Sequence, residues 1–501
     1  MKHRFYWSIA IVFAMLLSVA SADNLRIRLE TDIKNIDPAH WFSNIDQTVA
    51  LPIFAGLVAE NPETGEIELD LATSVEQSED GLRVDFTLRE DAQCHRGLGE
   101  VTASDVKFSF ERFLDTDNPS PYADDWQTLD HVEVIDDYTG VIHFTEPFAP
   151  LFTSTLPRLS GAIVCQEHFE AVGFDAFGTD PVSAGPYEFV SWKPDQEIVL
   201  KRNEAYYGET PAWDEIHFVI IKDEQAAEIA IESGSIDVTR IPLSSVFMYE
   251  NHPTIGLDSS PALSYSWIGM NVENPKLADV RVREAITLAI DVPSILLVAY
   301  DGQAAPGRGM VAPGLLGALD PADAPERDVE RARELLAEAG AEGLSLRIDL
   351  ADTSEYRIWA EIAQQNLAEV GIDLAINPMD TGSFWEIGLG DAGVDVELFT
   401  MAFTMQPDPS WATMWFTCNQ IGDWNWMRWC NEEFDAMHKQ GLVELDEEVR
   451  NQMYQDMQQL MIDDYVGIWI TNGATAYLHN ANLTSGVNNF GVLYPHYVLP
   501  K

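Results

Sequence analysis

The sequence predicts an α/β protein, because segments of strand character and helix character alternate along most of its 501 residues. Strands are indicated by short runs in which apolar and polar residues alternate. Helices are indicated by apolar residues three and four positions apart, often followed by glycine. The clearest example pairs a strand at 82–88 with a following helix that Thr102 or Ser104 can cap.

The same two patterns assign the remaining elements in chain order. One strand is predicted to begin within 183–189. The other strands are predicted at 25–29, 198–203, 216–221, 236–238, 344–350, 372–376, 394–399 and 466–471. Helices are predicted at 49–57, 223–233, 279–289, 328–339, 355–370 and 447–464. The helix after residue 102 should bury Val106, Phe108 or Phe110, and Phe113, and that at 279–289 should turn Val280 inward with its other apolar residues.

The chain is strongly acidic, with 82 Asp and Glu against 29 Lys and Arg and a net charge of −53. Nucleic-acid binding is excluded, because phosphate contacts need a basic surface. The acids are spread along the whole chain, which favours a solvated acidic surface, whereas an attraction for cationic ligands is the alternative.

The N-terminal sequence is typical of a secretory signal peptide. Lys2, His3 and Arg4 precede the apolar run 5–19, and Ala20-Ser21-Ala22 is a small-residue cleavage signal. We therefore expect a signal peptide at 1–22, although an uncleaved anchor is the alternative. Because no cysteine lies near the cleavage point, we expect a periplasmic protein without a lipid anchor.

The four cysteines allow three disulfide pairings in an exported protein. Cys418 and Cys430 are close in sequence and would close a small loop. By elimination Cys94 would pair with Cys165, and the alternative is that these two remain buried thiols.

The sequence gives no sign of catalysis. It lacks the HExxH, GxSxG and P-loop motifs, and its 11 histidines form no pair at metal-ligand spacing on a helix. We therefore predict no enzyme activity, no metal and no cofactor. An exported hydrolase is the enzyme alternative.

Residues 80–113, DGLRVDFTLREDAQCHRGLGEVTASDVKFSFERF, resemble a segment of the family 5 extracytoplasmic solute-binding proteins, the peptide, dipeptide and nickel receptors of bacterial ABC importers. Further similar segments follow in the family's order across the mature chain. They are FAGLV at 54–58 with NPETG at 61–65, LA at 71–72, AGPY at 184–187, Asn203 with Tyr206-Tyr207, GSID at 234–237, Asn271 with DVRVREA at 279–285, and 331–340.

The resemblance implies a large type II periplasmic-binding-protein fold with two lobes and an extra subdomain in the first. Lobe I is then 23–268, with the inserted subdomain at about 61–180, completed by 473–501, and lobe II is 269–472. The hinge is expected near 266–270 and 469–473. The implied protein is a monomer that binds a small solute between its lobes and delivers it to an ABC permease and ATPase complex.

The resemblance also locates the solute anchors. The family's peptide receptors place an acid a few residues before an Asp-Pro step, where it holds the ligand's α-amino group. Here Asp408-Pro409 is that step, and Gln406 stands where the acid is expected. No arginine precedes the helix at 355–370 as in dipeptide receptors, and Asp352 is the charged candidate there.

Aromatic residues complete the predicted site, because they give apolar walls and stack on cations. The candidates are Trp41, Phe42 and Ser43 in the first lobe and Trp385, Phe403 and Trp411 in the second. Cys418 with Trp429-Cys430 resembles the "C…WC" pair of dipeptide receptors. The resulting hypothesis is a receptor for a short peptide or peptide-like solute. A sugar, an opine-like conjugate, a metal chelate or a cationic peptide as ligand, and a role in chemoreception, are the alternatives.

Overall fold

The structure is a computed structural model and describes residues 24–41 and 43–501. The predicted signal peptide at 1–22 and the predicted site residue Phe42 lie outside the described residues. Within the described part, strands and helices alternate, which confirms the α/β class. Among those residues, we find no helix with the length and apolar character needed to cross a membrane.

The described residues form twenty β-strands. They are β1 (Asn24–Leu29), β2 (Ala55–Gly56), β3 (Val58–Glu60), β4 (Ile67–Leu69), β5 (Ala72–Gln77), β6 (Arg83–Leu88), β7 (Leu129–Val134), β8 (Thr139–Phe144), β9 (Ala162–Ile163), β10 (Tyr187–Lys193), β11 (Glu197–Arg202), β12 (Glu215–Ile220), β13 (Val238–Ile241), β14 (Ile255–Pro261), β15 (Ser264–Met270), β16 (Ser345–Ala351), β17 (Asp373–Met379), β18 (Leu398–Thr404), β19 (Gly467–Thr471) and β20 (Ala474–Asn480).

Fourteen α-helices lie in the same part of the chain. They are α1 (Asn44–Ala50), α2 (Ala103–Glu111), α3 (Gln166–Val172), α4 (Phe174–Phe177), α5 (Glu224–Glu232), α6 (Val246–Tyr249), α7 (Val280–Ala289), α8 (Val292–Tyr300), α9 (Val329–Ala339), α10 (Ser354–Glu369), α11 (Thr381–Glu386), α12 (Ser410–Thr413), α13 (Glu432–Val443) and α14 (Glu447–Asp463).

Two large sheets organise the molecule. A seven-stranded sheet has the order β10-β11-β12-β1-β13-β20-β14, and we call the part of the chain built on it lobe I. A five-stranded sheet has the order β17-β16-β18-β15-β19 and is the base of lobe II. In lobe I the central β1 runs parallel to both β12 and β13, so their carboxyl ends meet at one edge of the sheet.

The chain crosses between the two sheets at two adjacent places. The first crossing lies between β14 and β15, and the second lies between β19 and β20. We therefore place the first lobe boundary at 262–263 instead of after residue 268, because all of β15 pairs with β18 or β19. The second crossing lies at 472–473.

Lobe I carries additional structure between β3 and β10. Its main element is a four-stranded antiparallel sheet of order β5-β6-β8-β7, against which α2 packs. This structure lies within the region 61–180 that we expect to be a subdomain. Thr102 caps α2 through a capping box with Asp105, and Val106, Phe110 and Phe113 are buried as predicted.

Three local predictions were wrong. The predicted helix at 49–57 is replaced by α1, which ends at Ala50, because Ala55–Gly56 pairs with Ala162–Ile163 as a short antiparallel ladder. The strand predicted at 394–399 begins only at Leu398. Val280, predicted to face inward, is 39% exposed at the first turn of α7.

Both predicted disulfides are present, and no described cysteine is free. Cys94–Cys165 joins two buried residues of lobe I that are 71 positions apart in the sequence. Cys418–Cys430 closes a loop of lobe II, and its two cysteines are 12 positions apart in the sequence.

The two disulfides should differ in their contribution to stability. In the loop-entropy model the longer loop contributes about 4 kcal/mol and the shorter about 3 kcal/mol. The Cys94→Ala/Cys165→Ala variant should therefore show a lower Tm than the Cys418→Ala/Cys430→Ala variant, with calorimetry as the measurement. Equal or reversed Tm losses would show that native packing outweighs chain entropy.

Candidate functional site

A cavity of about 540 Å³ lies between the two lobes at the carboxyl ends of β1, β13 and β18. In open α/β sheets this edge is where ligands commonly bind. Both lobes contribute walls. The residues lining the cavity are Arg28–Glu30, Trp41, Ser43–Ile45, Gln47, Thr48, Tyr122, Arg158, Arg240, 262–264, 404–406, Trp411, Thr475, Tyr477 and 490–493.

The first crossing between the lobes forms part of the cavity wall. Ala262, Leu263 and Ser264 line the cavity, and the amide of Met405 donates to the carbonyl of Leu263 at 2.9 Å. Ser264 Oγ donates to the carbonyl of Asn472 in the second crossing at 3.0 Å. A movement of one lobe relative to the other would therefore change the shape of this cavity directly.

An aromatic stack spans the cavity. Trp41 and Tyr122 of lobe I are nearly parallel, with ring centroids 4.6 Å apart and an interplanar angle of 5°. Trp411 of lobe II continues the stack, 6.3 Å from Tyr122 at 30°. The stack gives the cavity an apolar face, and Trp41 Nε1 is buried without a hydrogen-bond partner among the described residues.

Asp125 is buried beside this stack. Burial raises the pKa of its carboxyl from 3.8 to about 7, although hydrogen bonding to Ser160 and Trp411 opposes the rise. Its Oδ2 accepts a hydrogen bond from Ser160 Oγ. The aromatic stack is therefore supported by a carboxyl that titrates near neutral pH.

Among the described residues, three arginines and one glutamate are the charged side chains that line the cavity. Arg158 Nη2 lies 2.5 Å from Glu60 Oε2, which is buried behind the wall. Arg240 lies 3.6 Å from Glu30, and both side chains are partly exposed. Arg28 is buried and donates to main-chain carbonyl groups.

Four of the sequence-predicted site residues meet at this cavity: Trp41, Ser43, Gln406 and Trp411. Ser43 also caps α1 through a capping box with Asp46, which fixes its hydroxyl. Gln406 follows β18, and its side chain forms no hydrogen bond with the described residues. Its amide is therefore available to a ligand.

Asp408 does not line the cavity; it is buried at the contact between the two lobes. It is 1% exposed, and both its carboxylate oxygens accept from Arg450 Nη2 at 3.0 Å. Thr153 Oγ1 of lobe I donates to Asp408 Oδ2 at 2.9 Å, and the Asp408 amide donates to Ser154 Oγ. Asp408 thus joins the two lobes through a contact that already satisfies its carboxylate.

The other three predicted residues also lie away from the lining of this cavity. Asp352 is exposed and pairs with Arg357. Trp385 is 36% exposed and contacts Trp424 and Trp426 edge-on. The ring centroid of Phe403 lies 5.1 Å from that of Trp267 in the lobe II core, so the Phe403 ring packs against the sheet.

Sequence reasoning missed Tyr122, Arg28, Arg158 and Arg240. Tyr122 and Arg158 lie in loops without a pattern that marks them. Arg28 had one signal, because it is a charged residue near the carboxyl end of the first predicted strand. Among residues 24–41 and 43–501, no three His, Cys, Asp or Glu side chains are grouped to hold a metal.

The chain matches the family model described as bacterial extracellular solute-binding proteins, family 5 Middle, over residues 66–423. It is 26% identical over 443 residues to the dipeptide-binding protein of Escherichia coli (strain K12), covering 83% of this chain and 82% of that protein. It is also 26% identical over 490 residues to the glutathione-binding protein GsiB of Shigella dysenteriae serotype 1 (strain Sd197), covering 95% of this chain and 94% of that protein.

A solved structure confirms the fold. It is the ABC transporter-associated periplasmic binding protein DppA from Helicobacter pylori in complex with peptide STSA. The TM-score is 0.80 at 24% identity, over 96% of this chain and 99% of that chain. The two-lobed binding-protein architecture predicted for this chain is therefore correct.

Replacing Asp408 with Ala should destabilise the protein strongly, because the variant leaves the buried Arg450 without a counter-charge. Breaking a buried pair in this way removes about 3–5 kcal/mol of stability. Thermal unfolding should show a clearly lower Tm for Asp408→Ala. Asp352→Ala is the control, since its pair with Arg357 is exposed, and its Tm should stay near the wild-type value. Equal Tm values for the two variants would contradict the structural role of Asp408.

Asp125 should make stability depend on pH. Because its native pKa is raised from 3.8 to about 7, the folded protein binds more protons than the unfolded chain in that window. Its contribution is complete below pH 3.8 and is lost as the pH rises through about 7. Asp125→Asn, which keeps an acceptor for Ser160, should therefore gain Tm relative to the wild type between pH 5 and pH 8. A constant Tm difference across that range would show that Asp125 is not the titrating group.

Proposed function

The chain belongs to family 5 of the bacterial extracellular solute-binding proteins, and from this premise we propose that it is the periplasmic receptor of an ABC importer. Its ligand is a short peptide or peptide-like solute, bound between the lobes. The receptor acts as a monomer and delivers its solute to a permease and ATPase complex in the inner membrane.

The observation that supports this function most strongly is the position of the cavity. Its walls come from both lobes, and the first crossing between the sheets lines it. The volume of about 540 Å³ falls within the range of roughly 300–1,000 Å³ typical of small-molecule sites. Solute binding and lobe movement are therefore coupled by geometry.

The relatives support a peptide as the solute. Of the relatives named above, one is a dipeptide-binding and the other a glutathione-binding protein, and the solved structure from Helicobacter pylori holds the peptide STSA. In this chain Gln406 and the aromatic stack would contact such a solute. An amide side chain can donate to a peptide carbonyl and accept from a peptide amide, and the rings can cover apolar side chains.

The proposed mechanism is hinge closure around the solute. A ligand that contacts both lobes binds the closed arrangement better than the open one, and so shifts the population towards closure. Asp408 with Thr153 and Ser154 supplies a direct polar contact between the lobes when they meet. The importer would then recognise the closed pair of lobes.

A non-peptide solute of similar size is the second candidate. The observation that favours it is Gln406, because a neutral amide stands where peptide receptors of this family place an acid. A conjugate without a free amine would suit this site equally well.

Trp411 and Trp385 distinguish the proposed site from the exposed aromatic surface of lobe II. Trp411→Ala should weaken solute binding about tenfold, since an aromatic contact of this kind contributes about 0.5–1.5 kcal/mol beyond area burial. The solute is first identified by native mass spectrometry of protein purified from a periplasm, and then titrated by calorimetry.

Trp385→Ala is the matched control for that titration, because Trp385 lies outside the lining of the cavity. It should bind with wild-type affinity. A loss of affinity confined to Trp385→Ala would show that the solute binds at the outer face of lobe II. A sugar released from the purified protein would contradict a peptide-like ligand.

A further inference from the structure

The charge of the cavity is opposite to the charge of the protein. Acidic residues outnumber basic ones 82 to 29 in the chain, yet the cavity wall contains three arginines and one glutamate. We propose that the solute is an anion, a peptide-like molecule with net negative charge, and that Arg28 binds one of its carboxylates. This inference rests on the receptor function proposed above and specifies its substrate class.

Arg28 is the residue on which the inference depends. It is 6% exposed, Nε donates to the carbonyl of Ile221 at 2.7 Å, and Nη1 donates to the carbonyl of Arg240 at 3.1 Å. These carbonyl groups orient the guanidinium without neutralising it. No carboxylate of the described residues lies within 4.0 Å of Arg28, and its Nη2 forms no hydrogen bond with them.

A buried charge without a counter-ion is unfavourable, and such charges are normally paired. Arg28 lines the cavity, so a ligand can supply the missing negative charge. A carboxylate suits this position, because guanidinium and carboxylate groups form short, charge-assisted hydrogen bonds. The two carbonyl contacts would hold the arginine in place before the ligand arrives.

The other two arginines add to the same field. Arg158 is compensated by Glu60, which lies behind it, but its Nε is buried without a hydrogen bond among the described residues. Arg240 lies 3.6 Å from Glu30, with both side chains partly exposed, and it also interacts electrostatically with Glu355. The lobe I wall therefore has more positive than negative charge facing the solute.

Lobe II places no charged residue on the described part of the wall, although Glu355 of α10 interacts electrostatically with Arg240. The residues it places on the wall are Thr404, Met405, Gln406 and Trp411 beside the crossing. With Gln406 in place of an acid, no lobe II carboxylate on the wall can pair with an ammonium group. The cavity thus favours an acidic solute over a basic one.

The acidic surface of the protein does not oppose this selectivity. Charges on the surface are screened over about 8 Å at physiological ionic strength, whereas buried charges are screened much less. A short-range contact with Arg28 can therefore determine which solute is bound, although the protein as a whole is strongly negative.

The test compares acids with their amides, which have nearly the same shape. Calorimetry on the full mature protein would use Ala-Glu-Ala against Ala-Gln-Ala, and N-acetylglutamate against N-acetylglutamine. We expect the acid of each bound pair to bind at least tenfold more tightly. Equal or tighter binding of the amide would overturn the anion preference.

The same panel separates the two proposals. If only the N-acetylated pair binds and the acid is preferred, the peptide ligand is wrong and the anion preference stands. If the peptides bind without preference for the acid, the receptor function stands and the anion preference falls. If no compound binds, both proposals fail.

Variants on one strand assign the preference to a residue. Arg28→Met should remove the tenfold advantage of the acid, and Arg28→Lys, which keeps the charge, should retain part of it. Arg26→Met is the matched control, because Arg26 lies on β1 but pairs with Asp237 away from the cavity wall. An unchanged acid preference in Arg28→Met would overturn the assignment to Arg28. If Arg28→Met fails to fold, the acid preference of Arg28→Lys, compared with that of the wild type, still tests the assignment to Arg28.

Discussion

The paired crossing between the two sheets is the constraint on which the rest of the structure depends. Two segments, at 262–263 and 472–473, run side by side and are joined by the hydrogen bond from Ser264 to Asn472. Gly473 permits this close approach, since its φ is +76° and a Cβ there would meet Ser264 Oγ. Because the first crossing also lines the cavity, the connection between the lobes and the cavity wall are one physical unit.

Three buried arginines of this acidic chain have different partners. Arg450 neutralises Asp408 at the contact between the lobes, and Arg158 neutralises Glu60 behind the cavity. Both pairs are buried, so each residue depends on its partner to remain charged inside the protein. Among the described residues, Arg28 has only main-chain carbonyl groups as hydrogen-bond partners, and it lines the cavity. The same residue type therefore neutralises a carboxylate in two places, and in the third we propose that it selects the ligand.

The sequence predicted most of the fold because local patterns decide most elements. Thr102 capped its helix as expected, and α7, α9, α10 and α14 lie within one or two residues of the predicted bounds. The errors arose where pairing between distant segments decided the outcome. Residues 55–56 became a strand only because 162–163 lies beside them, and the cavity wall joins residues of both lobes that no local pattern relates, such as Tyr122 and Trp411.

By itself the sequence determined the α/β class and the family, since periodicity and ordered motifs are properties of the linear chain. It predicted the Cys418–Cys430 and Cys94–Cys165 disulfides but left free thiols as the alternative for the second pair, and the structure confirmed both. Only the tertiary structure decided which polar residues face the cavity. Asp408 and Arg28 look equally available in the sequence. In the structure Asp408 is paired with Arg450 and Thr153, whereas Arg28 lines the cavity and has no carboxylate partner among the described residues. The reason is physical: whether a charge is free depends on neighbours that folding brings from other parts of the chain.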